Sequence, residues 1–132
     1  MAFEIPVLVD GTRKAGADLS AATNQYKFVK LDSSGDVILC AAATDIPYGV
    51  LQDKPKSGDT ATVMLVGISK VQGDADLAKG DLIGTSADGQ ADAKVPGTDT
   101  TNYVVGQVIV DNAAAGGLAT CTINCLNPHR AA

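Results

Sequence analysis

The sequence predicts a small all-β protein, and three observations support this prediction. The chain has 132 residues, of which 14 are glycine. Short apolar runs recur at spacings of about 8–12 residues, separated by the Gly, Asp, Ser and Thr clusters that are typical of tight turns. Apart from one short candidate at residues 74–79, no stretch has a helical pattern. We therefore expect a small antiparallel β-barrel, tulip-like domain or sandwich with an extended N-terminal arm and little or no helix.

The chain is expected to form one domain between two terminal segments, because its length favours a single core. Residues 1–17 are the expected arm or edge strand, since Pro6 suits an edge but not the middle of a sheet. Residues 18–126 are the expected β domain, and residues 127–132 a C-terminal tail. The apolar part of the arm could add a strand to a neighbour or pair with its own domain, and the sequence leaves both open.

Paired apolar runs predict antiparallel hairpins. Residues 26–31 and 37–40 flank a loop that carries Gly35, which is a hairpin pattern. The alternation breaks at Phe28-Val29, which indicates either a bulge or burial on both faces. Further strands are expected at residues 48–51, 61–66, 68–71, 82–83, 90–94, 104–110 and 118–126.

The two halves of the sequence resemble each other. Thr44-Asp45 corresponds to Thr98-Asp99, and Ser34-Gly35 to Asp88-Gly89, at the same offset. Later matches drift by a few residues across the loops. This indicates either an internal duplication of a hairpin-plus-strand unit or two similar answers to one packing problem.

Charge and hydropathy argue against two classes of partner. The net charge is −5, and the only adjacent basic pair within the domain is Arg13-Lys14. Nucleic-acid binding depends on Lys and Arg contacts with phosphates, so nucleic acid is not an expected partner. The longest uninterrupted apolar run, residues 37–43, has seven residues, whereas a spanning helix needs about 20. The start lacks the pattern of a signal peptide, so we expect synthesis and use in a cytosol and no membrane partner.

The residues that usually carry chemistry have structural explanations here. His129 is the only histidine, which leaves no base for a hydrolytic triad. Most Asp residues lie in turns, where their side chains bond local backbone. Cys121 and Cys125 would lie on one face of a strand about 13 Å apart, too far for a disulfide, and with Cys40 they are expected in the core. We predict no catalytic residue, no cofactor, no metal and no enzymatic activity.

Lys70 suggests one alternative. A lysine exposed at a hairpin tip between small strands is the arrangement of lipoyl and biotinyl carrier domains. The residues around Lys70 lack the usual acidic or Met neighbour, and a solvated lysine at a strand end is the ordinary interpretation. A carrier, or another ligand-binding β module, is therefore the alternative function.

From residue 18 to residue 126, the chain resembles the decoration, or cement, proteins of tailed-bacteriophage capsids. The resemblance depends on the order and spacing of several features. These are the runs 26–31, 63–67, 77–83, 87–91 and 118–126, with Gly49-Val50-Leu51, Gly58-Asp59 and Val105-Gly106 between them.

The resemblance implies a role and partners. Such proteins bind the outer surface of an assembled head, bridge capsomers and commonly form trimers. It implies the major capsid protein and the protein's own copies as partners, and a place on the virion after synthesis in the host cytoplasm. The expected contacts come from the apolar arm and from basic residues that could meet an acidic shell. They are Phe3, Ile5, Val7, Val9, Arg13, Lys14 and Arg130.

Overall fold

The structure, a computed structural model, describes residues 8–132. These residues form twelve strands and one 3-10 turn at Ala22–Asn24, and no α-helix occurs in this range. No helix that could cross a membrane is found among the same residues. The strands are β1 (Val9–Lys14), β2 (Phe28–Leu31), β3 (Val37–Leu39), β4 (Gly49–Leu51), β5 (Thr60–Met64), β6 (Val66–Gln72), β7 (Leu82–Thr85), β8 (Ala91–Ala93), β9 (Tyr103–Val104), β10 (Gly106–Val110), β11 (Leu118–Asn124) and β12 (His129–Arg130).

Ten strands form two five-stranded antiparallel sheets. The first sheet has the order β1-β5-β4-β2-β3, and the second has the order β6-β11-β10-β7-β8. The remaining strands, β9 and β12, pair with each other. The predicted all-β class is confirmed. The sheets are not closed into a barrel, so the sandwich is the better of the predicted architectures.

The second sheet repeats the first in strand order and in pairing register. β6, β7, β8, β10 and β11 take the places of β1, β2, β3, β4 and β5. Each half also has one isolated parallel bridge, between the residue after its first strand and the strand at the opposite edge, although no ladder of paired strands closes either sheet. The corresponding pairs are Val29–Leu39 with Ile83–Ala93, Val29–Gly49 with Ile83–Gly106, and Ala15–Val37 with Gly73–Ala91. The structure therefore contains a repeated unit, which is expected both from an internal duplication and from two similar answers to one packing problem.

The turns explain why part of the repeat was visible in the sequence. Gly35 and Gly89 close the β2–β3 and β7–β8 hairpins with φ angles of 79° and 82°. This left-handed conformation is readily adopted by glycine and rarely by other residues. The matched Ser34-Gly35 and Asp88-Gly89 therefore mark the same turn in each half.

Two buried apolar clusters form the core, and β2 contributes to both. Phe28 and Val29 are each fully buried, and neighbouring strand residues point to opposite faces. Burial on both faces thus explains the broken alternation in the sequence. The first cluster comprises Ala15, Leu19, Val29, Val37, Leu51, Ala61, Val63 and Leu65. The second joins Phe28, Cys40 and Val50 to second-half residues that include Val71, Leu77, Ile83, Val108, Cys121, Ile123 and Cys125.

The structure defines three segments more closely than the sequence does. The one short helix candidate, residues 74–79, is not helical: the amides of Leu77 and Ala78 donate to the side chains of Asn112 and Asp81 instead of forming helical bonds. The described part of the expected arm includes β1, which pairs with β5 of its own sheet. The expected tail is partly a strand, since β12 pairs with β9.

Candidate interaction surface

The predicted contact residues that the structure describes lie in two different sheets. Val9, Arg13 and Lys14 lie on β1, at one edge of the first sheet. Arg130 is exposed on β12, which belongs to the two-stranded sheet. The others, Phe3, Ile5 and Val7, lie outside the described residues.

The buried carboxylate of Asp10 links β1 to another part of the first sheet. Asp10 is 6% exposed and accepts hydrogen bonds from the amide and hydroxyl of Thr12 at 2.8 and 2.6 Å. Tyr48 directly precedes β4, and its hydroxyl donates to the second carboxylate oxygen of Asp10. Burial alone would raise the pKa of Asp10, but the bonds from Thr12 and Tyr48, with the charge of Arg13, hold this pKa below its ordinary value. β1 therefore presents Arg13 and Lys14 from a fixed edge.

The outer face of the second sheet carries little charge along β6, β10 and β11. Along β6 and β11, residues alternate between the core and the solvent, as the two-residue period of a strand requires. Cross-strand pairing places Ile68 beside Thr122, and Thr122 beside Gln107. The outer face comprises Ile68, Lys70, Gln107, Ile109, Val110, Leu118, Thr120 and Thr122.

Lys70 is the single charged residue among these eight, in a protein with a net charge of −5. Its Nζ lies 5.7 Å from the centre of the Tyr26 ring, within the range of a cation–π contact. Ile68, by contrast, is 61% exposed. Apolar and uncharged residues grouped on one exposed sheet face are typical of protein-binding surfaces.

The position of Lys70 removes the basis of the carrier interpretation. Lys70 lies inside the seven-residue strand β6 and pairs with Thr120 of β11. A carrier lysine was expected at a hairpin tip, and the structure places no tip there. Lys70 is exposed, as expected, but its expected place at a hairpin tip is wrong.

A groove in the first half leaves an apolar segment open. Ile46 and Pro47 line it together with Leu31, and an ion pair of 2.9 Å between Lys30 and Asp45 forms one wall. Ile46 is 50% exposed. In the second half, the corresponding segment is β9, which β12 covers. Among residues 8–132, no strand covers Ile46 in this way.

The acidic residues mainly cap turns. Asp45 accepts the amides of Ala41 and Ala42 at 2.8 and 3.0 Å. Asp99, its counterpart in the second half, accepts the amide of Val95 at 2.7 Å. Within the described part of the chain, no three His, Cys, Asp or Glu residues are grouped so that they could hold a metal ion.

The cysteines lie in the core, as expected. All three are buried and free of disulfides. Burial raises the pKa of Cys40 to about 12 and that of Cys121 to about 11. Burial, with the neighbouring Cys40, raises the pKa of Cys125 to about 12. These thiols are therefore protonated core residues at neutral pH.

Sequence reasoning missed the outer face of the second sheet as a candidate interface. The alternation in residues 118–126 was visible, but it was used only to assign the buried positions. The outward set of Leu118, Thr120 and Thr122 was the available signal. The pairing with Ile68 and Gln107 could not be read from the sequence, because it depends on strand order.

Comparison with known proteins bears on the fold. No protein-family model matches the chain, and no curated protein matches it. Among solved structures, the chain is similar to the head fiber gp8.5 N base of bacteriophage phi29, with a TM-score of 0.64 and 24% sequence identity. The similarity covers 86% of this chain and 91% of that chain. At this level of identity, the likeness shows that the two share a fold.

Proposed function

We propose that this protein is a structural component of a phage head, a decoration protein that binds the outer surface of the assembled shell. The observation that carries the proposal is the shared fold with a phage head fiber base over 86% of the chain. The ordered resemblance to capsid decoration proteins supports the same role. Bridging capsomers requires rigid strands and an exposed surface, and it requires no catalytic group, cofactor or metal.

The outer face of the second sheet is the proposed surface for the major capsid protein. Its strands β6, β11 and β10 are held by continuous pairing, so binding would order few additional groups. Since its side chains carry a single charge, little desolvation of ions would oppose an apolar contact. A second surface, the edge strand β1 with Arg13 and Lys14, could meet acidic groups on the shell.

Self-association is the second part of the proposal. We propose that copies assemble as a homotrimer on the shell, and the groove at Ile46 is the described surface that a neighbour's N-terminal arm would cover. Many copies on one lattice act together, so weak single contacts would still give strong attachment.

Binding to capsids tests the proposal. Purified protein is expected to co-sediment with mature heads that lack it and to raise their resistance to heat. Ile68→Lys should weaken this binding at least tenfold, because it places a second charge on the outer face of the second sheet. Val95→Lys is the matched control: Val95 is 55% exposed and lies outside this face, so its binding should equal that of the wild type.

The two parts of the proposal have separate negative outcomes. If the wild type does not co-sediment with such heads, the decoration role is wrong. If it binds and Ile68→Lys binds equally well, a different surface meets the shell. Removing residues 1–7 tests the arm without disturbing β1, which begins at Val9. Loss of trimers on removal would support the arm contact, and unchanged trimers would contradict it.

A further inference from the structure

A buried lysine in the second half lies against a carboxamide and a carboxylate. The side chain of Lys94 is 2% exposed. Its Nζ lies 2.8 Å from Oδ1 of Asn102 and 3.1 Å from Oδ2 of Asp92. Lys94 follows β8 directly, and Asn102 directly precedes β9.

The repeated fold shows that a lysine is not needed to fill this position. The Lys94 amide donates to the Leu82 carbonyl at 2.8 Å, and in the first half the Cys40 amide donates to the Phe28 carbonyl at 3.1 Å. Cys40 is thus the counterpart of Lys94, and it fills the same place with a small thiol. Burial of an amine is costly unless its partners are well placed, so the lysine requires its own explanation.

The surrounding structure keeps the side chains of Lys94 and Asn102 close together. The backbone amide of Asn102 donates to the Asp99 carbonyl at 2.9 Å, and the backbone carbonyl of Asn102 accepts from the Ala131 amide at 2.9 Å. Gly84 leaves room for the lysine stem, because a Cβ there would lie 3.1 Å from Cε of Lys94 and would overlap the Tyr103 carbonyl. The terminal torsion of Asn102 is soft, so its carboxamide can turn while Nζ stays beside it. Such positioning can replace much of the entropy cost of a bimolecular reaction.

We propose that Lys94 and Asn102 form an intramolecular isopeptide bond. Asp92 takes a proton from the ammonium group, and the neutral Nζ attacks Cγ of Asn102. The new Nζ–Cγ bond forms, Asp92 passes its proton to Nδ2, and the Cγ–Nδ2 bond breaks as ammonia leaves. Asp92 then takes the second proton from Nζ, which leaves an amide N–H, and releases that proton to solvent. No oxidant, metal or cofactor is required. The product is an amide that closes the loop of residues 95–101.

The bond would lock the loop beside the C-terminal strand pair. β9 follows Asn102 directly and pairs with β12, so the cross-link would fix the base of this small sheet. The bond depends only on residues of this chain, and it would form whether or not the protein binds a phage head.

Mass spectrometry tests the proposal directly. The wild type is expected to be lighter than its sequence by one ammonia. Trypsin digestion after full unfolding should leave residues 80–130 as one peptide, because Lys94 is the only Lys or Arg between Gly80 and Arg130. This missed cleavage distinguishes the bond from a succinimide, which also loses ammonia but leaves Lys94 free. The proposal is wrong if wild-type protein purified in its folded form has the full mass and trypsin cleaves it after Lys94 once it is unfolded.

Variants assign the roles. Asn102→Ala and Lys94→Met should each keep the full mass expected for their sequence. Asp92→Asn retains both linked groups but removes the proton acceptor, so the linked fraction should fall sharply. Asn124→Ala, at an exposed position on β11, is the control and should remain fully linked. If Asp92→Asn forms the bond as completely as the wild type, the role given to Asp92 is wrong.

Discussion

Asp10 adds a side-chain contact to the backbone pairing that holds the edge strand β1. Its carboxylate is buried and makes no ion pair within the described residues. Hydrogen bonds from Thr12 and Tyr48 take the place of a cation. Hydrogen bonds to a charged group contribute more than neutral ones, about 1.5–3 kcal/mol each. The bond from Tyr48 is the one that joins β1 to another part of the sheet.

Tyr48→Phe should therefore lower the free energy of unfolding by about 1.5–3 kcal/mol. The change removes the hydroxyl that donates to Asp10 and leaves the ring in place. Chemical denaturation monitored by circular dichroism would measure the loss. Tyr103→Phe is the control, since the Tyr103 hydroxyl makes no side-chain hydrogen bond in residues 8–132. Equal stability of Tyr48→Phe and the wild type would contradict this role of Asp10.

The same carboxylate predicts a dependence on pH. The pKa of Asp10 is lower in the folded protein than its ordinary value. The folded state therefore favours the ionised form, and this contribution is complete above the ordinary pKa. It is lost as the pH falls below that value and through the folded pKa. The stability difference between the wild type and Tyr48→Phe should shrink over that acidic range, which denaturation at several pH values would measure.

At the scale of elements, two glycines allow neighbouring strands to approach closely. Gly49 of β4 and Gly106 of β10 are counterparts in the repeat. A Cβ at Gly49 would overlap the Met64 carbonyl, and one at Gly106 would overlap the Thr122 carbonyl. Backbone oxygens of a paired strand cannot move aside as a flexible side chain can, so both positions exclude larger residues.

Gly106→Ala should accordingly destabilise the protein by about 1–3 kcal/mol or more, the usual cost of overpacking. Gly11→Ala is the matched control, because a Cβ there meets nothing within 4 Å, and its effect should stay within about 0.5 kcal/mol. Thermal denaturation of both variants would compare them. An equal effect of the two substitutions would show that the β10–β11 contact tolerates a methyl group.

The hairpins could be predicted from the sequence, whereas sheet order could not. Alternating apolar residues around Gly35 and Gly89 specify local pairing, and the observed hairpins follow it. Placing β5 between β1 and β4 depends on contacts between distant segments. The chain passes from the first sheet to the second at Leu65, two residues before the break that Gly67 indicated, and the change of sheet itself has no local signal. In residues 74–79, the one short helix candidate, the Leu77 amide donates to Asn112, which is remote in sequence, and no helix forms.

At the scale of the whole molecule, the repeat is not two independent domains. Phe28, Cys40 and Val50 belong to the first half, yet they pack in the cluster that forms the second-half core. The Phe28 amide also donates to the Gly89 carbonyl at 2.7 Å, across the two halves. The sequence indicated the repeat but could not show that first-half residues pack in the second-half core. A strand buried on both faces does not show which partner covers each face. The candidate interface followed from the same geometry: the outer face of the second sheet stays open, whereas Phe28 and Val50 of the first sheet are covered.

Because of this shared core, the two halves should unfold together. The three cysteines are buried with raised pKa values, and only the thiolate reacts with alkylating reagents. Labelling should therefore require opening of the core, and Cys40 should react at the same rate as Cys121 and Cys125. Alkylation at increasing urea concentration, followed by mass spectrometry of each cysteine peptide, measures the three rates. A variant with Val95→Cys, at an exposed position, should label at once and confirms that the reagent is active. If Cys40 reacts faster than the second-half cysteines, the first half opens on its own and the shared cluster does not couple the halves.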